Sequence, residues 1–331
     1  MSYRVDPPDV EVTRVALLAA LIDGDRDAAY RIATSLLDEG VSFEALVGEV
    51  LGPVQRELGR RWAQGDLTVA DEHAATAASE DLVTLLCGGL TSFDGPVVAV
   101  ACPEGDAHSL PARVVAAVLS LRGFRSLLLG ASLPAVDLGD YLERQTPLGI
   151  ALSVSMPAAL YRAAASVATA HEHGVPIVVG GRAVRDDDAV ARRLGADAWA
   201  GTADAAADVF DEWHAHSPNS LATSIAVPDE CRAIDHHRAV LTAAAVPPDE
   251  PEAGKDLVDE VSRLLDVVQG ALLLDQPSLL TDQLRTVRAI RTGHGTSEAA
   301  LERVLERLVT ATSEPLPATA ALLRESSAHH D

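Results

Sequence analysis

The sequence contains few cysteines, few aromatic residues and few basic residues, and it has no long apolar run. Cys87, Cys102 and Cys231 lie far apart and form no CxxC pair, which argues against a disulfide framework and against a thiolate metal site. A membrane-spanning helix needs about 18 or more consecutive apolar residues, and a signal peptide needs an apolar segment near the N-terminus. We therefore expect a cytoplasmic protein without a membrane partner.

The balance of charge is strongly acidic. Among 331 residues there are 26 lysines and arginines against 49 aspartates and glutamates, which gives a net charge of −23. Such a surface repels phosphate backbones, so we expect no direct binding to nucleic acid. The first helical pattern begins within a few residues of Met1, so we expect no DNA-binding domain before it. A hydrophobic content of 48% in a chain of this length predicts two or three globular domains.

Residues 8–90 contain four stretches with apolar residues at helical spacing, separated by short polar breaks. The third stretch, residues 46–58, is interrupted by Pro53, which should kink the helix. The fourth begins near Val69. Four helices of this length joined by short connections predict a four-helix bundle.

Residues 94–215 show a different pattern, in which short apolar runs rich in β-branched residues alternate with helical stretches. The five predicted strands are residues 96–102, 126–129, 148–153, 176–180 and 198–200. This alternation predicts a flavodoxin-like, five-stranded parallel sheet. Ligands of such sheets bind at the carboxyl ends of the strands, so the loops after Cys102, Ser153 and Gly180 are the expected site.

A polar segment at residues 216–223 separates this region from residues 224–331, which return to purely helical spacing. We expect a separate C-terminal all-α domain there. The predicted fold class is therefore multidomain, with all-α and α/β parts.

Asp106 and His108 lie on the loop that follows the first predicted strand. A histidine at that place can reach a ligand above the sheet, and a carboxylate two residues earlier can fix its tautomer and make it a better metal ligand. Taken alone, the pair also fits an ordinary polar loop in which a histidine contacts a carboxylate.

Small residues follow two other strands. The hydroxyls of Ser153 and Ser155 lie where a buried, hydrogen-bonding part of a ligand could pass, and Gly180-Gly181 leaves room for a ligand to approach the backbone. Two adjacent glycines are also common in tight turns.

These motifs together resemble the base-off/His-on cobalamin-binding fold, with D-x-H, S-x-S and G-G after the first, third and fourth strands. Upstream, Trp62-x9-Glu72-His73 resembles the helical cap of CarH-type light-sensing adenosylcobalamin proteins, and the resemblance covers residues 8–214. It implies that His108 is the lower cobalt ligand with Asp106 as its partner, and that Trp62 packs on the upper adenosyl group. It also implies that Glu72 and His73 contact that group, and that the nucleotide tail lies against Ser153, Ser155, Gly180 and Gly181.

The sequence departs from that pattern at two positions. Pro111 stands where the D-x-H motif continues to a glycine, and proline is well tolerated in the first turn of a helix. Ala63 stands where CarH-type proteins have a histidine that captures cobalt after light. We expect His73 or water as the upper ligand after photolysis.

The C-terminal region resembles globin-like sensor domains that lack haem, and the whole architecture resembles the photocobilins, which pair cobalamin with a linear tetrapyrrole such as biliverdin. Arginines repeat at intervals of three along one predicted helix, which suits propionate binding. The candidate bilin contacts are Arg285, Arg288, Arg291, His236, His237 and His294, with Cys231 as a possible thioether site. The alternative is a dimerisation bundle with a solvated basic face.

The leading hypothesis is a non-enzymatic photoreceptor. Adenosylcobalamin would bind between the bundle and the sheet, and breakage of its cobalt–carbon bond by light would change conformation or oligomeric state. The alternatives are a corrinoid carrier for methyl transfer and a light-independent cobalamin sensor. A mutase is disfavoured, because it would need a substrate barrel of about 250 residues.

Overall fold

The computed structural model describes residues 10–88, 94–184, 188–216, 225–250 and 254–328. The predicted bundle is present in its N-terminal part. Its helices are α1 (Val10–Ile22), α2 (Arg26–Asp38), α3 (Phe43–Ala45), which continues through a π-helical segment (Leu46–Leu51) into α4 (Gly52–Ala63), and α5 (Val69–Cys87).

Where the sequence predicts a kink, the helix contains the π-helical segment, which ends two residues before Pro53. Pro53 has no N–H, so the carbonyl of Glu49, four residues earlier, loses its usual helical donor. Arg14 of α1 replaces that donor, because its Nε donates to the Glu49 oxygen at 2.6 Å. The irregular turn is therefore stabilised by a neighbouring helix.

The α/β region contains five parallel strands in the order β2-β1-β3-β4-β5, which confirms the flavodoxin-like prediction. The strands are β1 (Val97–Pro103), β2 (Arg125–Leu133), β3 (Gly149–Ser153), β4 (Ile177–Gly180) and β5 (Ala198–Ala200). The helices between and after them are α6 (Ser109–Leu121), α7 (Ala135–Arg144), α8 (Leu160–Glu172), α9 (Ala189–Arg193) and α10 (Ala203–Ala215). Short 3₁₀ turns follow β3 (Pro157–Ala159) and β4 (Arg182–Val184).

The described residues of the C-terminal part form five helices: α11 (Asp229–Ala245), α12 (Lys255–Leu274), α13 (Ser278–Gly293), α14 (Glu298–Thr312) and α15 (Pro317–Ala328). Of the predicted linker, residues 217–223 lie outside the described part of the chain, as do residues 8, 9, 89 and 90 of the predicted bundle. No helix in the described ranges combines the length and the apolar character that crossing a bilayer requires.

The two faces of the sheet contribute to two different hydrophobic cores. Val98 and Val100 of β1 pack in a core shared with the bundle and with helices α6 and α10. Ala99 and Ala101 point to the opposite face, since side chains alternate along a strand, and pack in a core shared with α7, α8 and the C-terminal helices. The sheet therefore lies between the bundle and the C-terminal helices.

Candidate functional site

Asp106 holds His108 in a fixed orientation on the loop after β1. The Asp106 side chain is fully buried, and its Oδ1 accepts a hydrogen bond from the backbone N–H of His108 at 3.1 Å. The same oxygen lies 3.0 Å from His108 Nδ1. Because a carboxylate only accepts, Nδ1 is the donor in this contact, and in the neutral imidazole Nε2 then has a free electron pair. The His108 side chain is 55% exposed, so a ligand outside the core can reach it.

The second oxygen of Asp106 binds the loop after β3. Oδ2 accepts hydrogen bonds from the backbone N–H groups of Ser155 at 2.5 Å and of Met156 at 3.2 Å. A buried carboxylate is costly unless it is hydrogen-bonded, and here both oxygens have donors. Two of the loops expected to form the site are thus joined through one side chain.

Two residues that the sequence did not predict as part of the site support this loop. Ser132 has a backbone φ of +51°; its N–H donates to the Asp106 carbonyl at 2.9 Å, and its Oγ accepts from the Gly105 N–H at 3.0 Å. Cys102 Sγ donates to the His108 carbonyl at 3.6 Å. Burial, together with the nearby carboxylate of Asp106, raises the pKa of the Cys102 thiol to about 12, so it remains a protonated donor.

The serines and glycines predicted to line a ligand slot lie at the ends of β3 and β4. Ser153 and Ser155 are buried, and the Ser155 hydroxyl has no hydrogen-bond partner among the described residues. Gly181 has a φ of +103°, and a Cβ there would collide with the Val154 backbone; a Cβ at Gly180 would collide with the β5 carbonyl of Ala200. Close backbone packing explains both glycines by itself, so their part in a slot stays a prediction.

Trp62 lies in the last turn of α4, and its indole Nε1 is buried without a hydrogen-bond partner among the described residues. Glu72 and His73 lie in the first turn of α5. Glu72 is partly buried and accepts a hydrogen bond from Thr76 Oγ1 at 2.9 Å. His73 is 74% exposed, with Nε2 3.7 Å from Glu72. A reciprocal capping box at Thr68 fixes where α5 begins.

The bundle contacts the α/β region next to His108. Glu80 of α5 accepts a hydrogen bond from Ser109 Oγ, and its other oxygen lies 3.6 Å from Arg113 Nε. Ser109 directly follows His108 and begins α6. A polar contact between the bundle and α6 therefore lies one residue from the candidate cobalt ligand.

The arginines predicted to bind bilin propionates are each paired with a carboxylate of the protein. The pairs are Arg285–Asp282 at 2.8 Å, Arg288–Glu302 at 3.0 Å and Arg291–Glu260 at 2.8 Å. Arg288 and Arg291 are also largely buried. A propionate would have to displace an existing partner and leave that carboxylate without its cation.

The other bilin candidates, three histidines and a cysteine, lie in different surroundings. His236 and His237 are exposed on α11, where their rings contact each other edge to face at 4.8 Å. His294 contacts Trp62 of the bundle. Cys231 is buried, its thiol donates to the Gln269 carbonyl at 3.4 Å, and burial raises its pKa to about 11. A protonated, inaccessible thiol is a poor nucleophile, so these surroundings do not favour a thioether.

Comparison with known proteins places this geometry in a family. Residues 14–86 and residues 96–210 each match a B12 binding domain. The chain is 31% identical over 203 residues to the HTH-type transcriptional repressor CarH of Myxococcus xanthus, a match that covers 60% of this chain and 67% of CarH. The chain belongs to the CarH-like family of cobalamin-binding proteins. Within this CarH-like chain, Trp62 and Glu72 lie in the first B12 binding domain and Asp106 and His108 in the second.

Corrinoid proteins are also similar to this CarH-like chain. The trimethylamine corrinoid protein of Methanosarcina barkeri is 26% identical over 200 residues, which covers 57% of this chain and 91% of that protein. The solved structure of the Methanosarcina barkeri monomethylamine corrinoid protein aligns with a TM-score of 0.50 at 19% identity, over 58% of this chain and 94% of that one. The structural likeness establishes a shared fold. The matched B12 binding domains end at residue 210, before the C-terminal helices.

Proposed function

We propose that this protein is a light sensor that holds adenosylcobalamin, base-off and His-on, between the bundle and the sheet. The arrangement of Asp106 and His108 carries the proposal. A buried carboxylate fixes the Nδ1 proton of an exposed histidine and leaves Nε2 available to a metal, which is how proteins orient metal-bound histidines. Trp62 Nε1 and Ser155 Oγ, both buried without partners among the described residues, fit a ligand with polar groups on both sides.

Each candidate residue has a definite task in this proposal. His108 would coordinate cobalt from below, and Asp106 would hold its proton and orientation. Ser153, Ser155 and the two glycines would contact the nucleotide tail. Trp62 would cover the adenosyl group with apolar surface, and the Glu72 carboxylate would accept hydrogen bonds from ribose hydroxyls.

When bound, adenosylcobalamin supplies a cobalt–carbon bond that visible light breaks. The residues above the cofactor would then lose the contacts that hold the bundle in place, so the bundle could shift and change conformation, oligomeric state or a partner surface. Ala63 has no side-chain donor atom, so the exposed His73 or water would be the new upper ligand. The protein would signal and would not catalyse a reaction.

A net charge of −23 disfavours direct binding to nucleic acid, and the output partner is open. Because the relative CarH is named a transcriptional repressor, this expectation needs its own test. Titration of labelled genomic DNA fragments with dark and illuminated protein at physiological salt should show no binding. Saturable binding in either state would overturn the expectation.

A corrinoid carrier for methyl transfer is the second candidate, because the similarity to a trimethylamine corrinoid protein covers 91% of the length of that protein. A carrier must expose the cobalt to partner enzymes and has no use for a pocket that selects an adenosyl group. A light-independent cobalamin sensor is the third. The three differ in upper-ligand preference and in the response to light.

Equilibrium binding of adenosyl-, methyl- and hydroxocobalamin separates a photoreceptor from a carrier. Wild type should prefer the adenosyl form, and Trp62→Ala should lower that preference about tenfold or less, because an aromatic contact is worth roughly 0.5–1.5 kcal/mol beyond burial. Hydroxocobalamin affinity should stay unchanged. Tyr30→Ala, an exposed aromatic of the same bundle, is the control. A wild-type preference for methylcobalamin favours the carrier, and equal loss of all forms makes Trp62 merely structural.

Biliverdin in the C-terminal helices is a separate proposal, which rests on the resemblance to photocobilins. Adding biliverdin to the full-length protein should produce a red-absorbing complex, because a bound linear tetrapyrrole is held extended and rigid. Neutralising Arg285 and Arg288 together should weaken that complex and leave cobalamin binding intact, provided that the propionates displace Asp282 and Glu302. If no red band forms at micromolar biliverdin, the second chromophore is rejected and the cobalamin site is unaffected.

A further inference from the structure

The end of helix α13 contacts the bundle at Trp62. His294 Nε2 donates to the Trp62 carbonyl oxygen at 2.8 Å, and the His294 ring lies 5.7 Å from the indole, centroid to centroid. The same carbonyl accepts the Gly65 N–H at 2.9 Å. A single side chain of the C-terminal helices therefore contacts both the backbone and the ring of the residue that would cover the cofactor.

Two glycines allow this contact. Gly65 has a φ of +79°, and a Cβ built on it would collide with the carbonyl of Gly293. A Cβ on Gly293 would in turn collide with the carbonyl of Ala63. The two backbones thus touch directly, and a side chain at either position would push the end of α13 away from the end of α4.

Helix α13 is tied to α12, and α12 packs against the loop that binds Asp106. Arg291 of α13 and Glu260 of α12 form a largely buried ion pair at 2.8 Å. Further along α12, Gly270 packs against the carbonyl of Pro157. Pro157 begins the 3₁₀ turn directly after the two N–H groups that donate to Asp106. Contiguous contacts therefore run from the partner of His108 through α12 and α13 to Trp62.

We propose that α12 and α13 form a bracket that sets the position of Trp62 relative to the Asp106 loop, and that His294 is a positioning residue for Trp62. The inference rests on the proposed function, because it gives the bracket a part in selecting the upper ligand. If the Trp62 turn moved relative to α13, the His294 hydrogen bond would break and Gly65 would separate from Gly293. A change above the cofactor therefore reaches the C-terminal helices through this contact.

The test uses the full-length chain with three substitutions. His294→Ala removes the hydrogen bond and the ring contact, and His294→Gln keeps a donor. Val240→Ala, which shortens an exposed side chain of the same helical region, is the control. In the cofactor-free protein, hydrogen exchange at residues 62–66 should be faster in His294→Ala by about three- to tenfold, the usual worth of one hydrogen bond. It should be near the wild-type rate in the other two variants.

Binding provides the second measurement. The preference for adenosylcobalamin over hydroxocobalamin should fall in His294→Ala by a similar factor, with hydroxocobalamin affinity retained, and His294→Gln should restore it. Wild-type exchange rates and preference in a folded His294→Ala protein would overturn the bracket. A different outcome is that His294→Ala exchanges faster but the wild-type protein shows no preference for adenosylcobalamin. That outcome would support the bracket and overturn the proposed function. Circular dichroism establishes that each variant is folded.

Discussion

Asp106 accepts hydrogen bonds from two loops at once, through Oδ1 from His108 and through Oδ2 from Ser155 and Met156. Its carboxylate is fully buried, so losing any of these donors would leave its charge less well compensated. The position of His108 therefore depends on the loop after β3 as much as on its own loop.

Removing the charge of the Asp106 side chain should lower the affinity of the protein for cobalamin. Asp106→Asn keeps the shape but removes the charge, and we expect a loss of affinity of about 10–100-fold, as is usual for the partner of a metal-bound histidine. His108→Ala should lose at least as much and should also shift the cobalt absorption spectrum. Equilibrium dialysis and absorbance measure both effects, with Val240→Ala, a change at an exposed side chain, as the control. Wild-type affinity and spectrum in His108→Ala would show that the lower ligand is a different group.

The sequence predicted Asp106 and His108 because both lie in one short loop whose place after a strand is readable from local pattern. Ser132 and Cys102 support the same loop, yet neither was foreseen. The contacts of Ser132 come from the neighbouring strand β2, and its positive φ leaves no mark in composition or spacing. Contacts made across the sheet require the three-dimensional register.

Among the elements, the third helical stretch of the bundle is stabilised by a side chain from another helix. Pro53 deprives the Glu49 carbonyl of its helical donor, and Arg14 of α1 supplies a replacement. The sequence predicted a kink at Pro53. It could not predict the partner, because the side chain that stabilises the kink comes from a different helix.

A double-mutant cycle tests this interpretation. Arg14→Ala should lower the free energy of unfolding of the bundle by about 1 kcal/mol, since the carbonyl loses a charged donor in a partly exposed place. In a Pro53→Ala background the alanine N–H can donate to the Glu49 carbonyl. Arg14→Ala should then lower the free energy of unfolding by less than half as much as in the wild-type background. Urea unfolding followed by circular dichroism measures all four proteins. Equal costs in both backgrounds would refute the coupling between Arg14 and Pro53.

A second pair of elements is joined by a buried carboxylate. Glu250, which follows α11, lies with its side chain fully buried between Arg303 at 2.6 Å and Arg307 at 2.7 Å on α14. Hydrogen bonds from these two guanidinium groups lower the pKa of Glu250 to about 2. The carboxylate is therefore charged at ordinary pH.

This pKa predicts how stability varies with pH. Because the folded-state pKa is depressed, the ionised Glu250 stabilises the fold fully above its ordinary value near 4.5, and the contribution is lost as pH falls toward 2. Wild type should therefore unfold at higher temperature than Glu250→Gln near neutral pH, and the difference should shrink between pH 4.5 and 2. Thermal unfolding across that range measures it. A difference independent of pH would mean that shape rather than charge matters at this position.

At the scale of the whole molecule, the sheet separates two cores, one shared with the bundle and one shared with the C-terminal helices. The strand order was predictable, because parallel strands read as short apolar runs that alternate with helices. The contact between His294 and Trp62 joins residues 232 positions apart. No local pattern marks such a pair, so the sequence assigned His294 to a bilin, whereas in the structure it contacts the bundle.

The most direct test of a light-sensing role is the hydrodynamic size of the adenosylcobalamin-loaded protein before and after illumination. Free adenosylcobalamin is itself sensitive to light, so a change in cofactor absorbance does not show that the protein responds. A change in the size of the protein does. Size-exclusion chromatography with light scattering should show a different radius or mass after illumination, with cobalamin still bound. The hydroxocobalamin-loaded protein should be unaffected. Identical elution and mass in the dark and in the light would contradict the account.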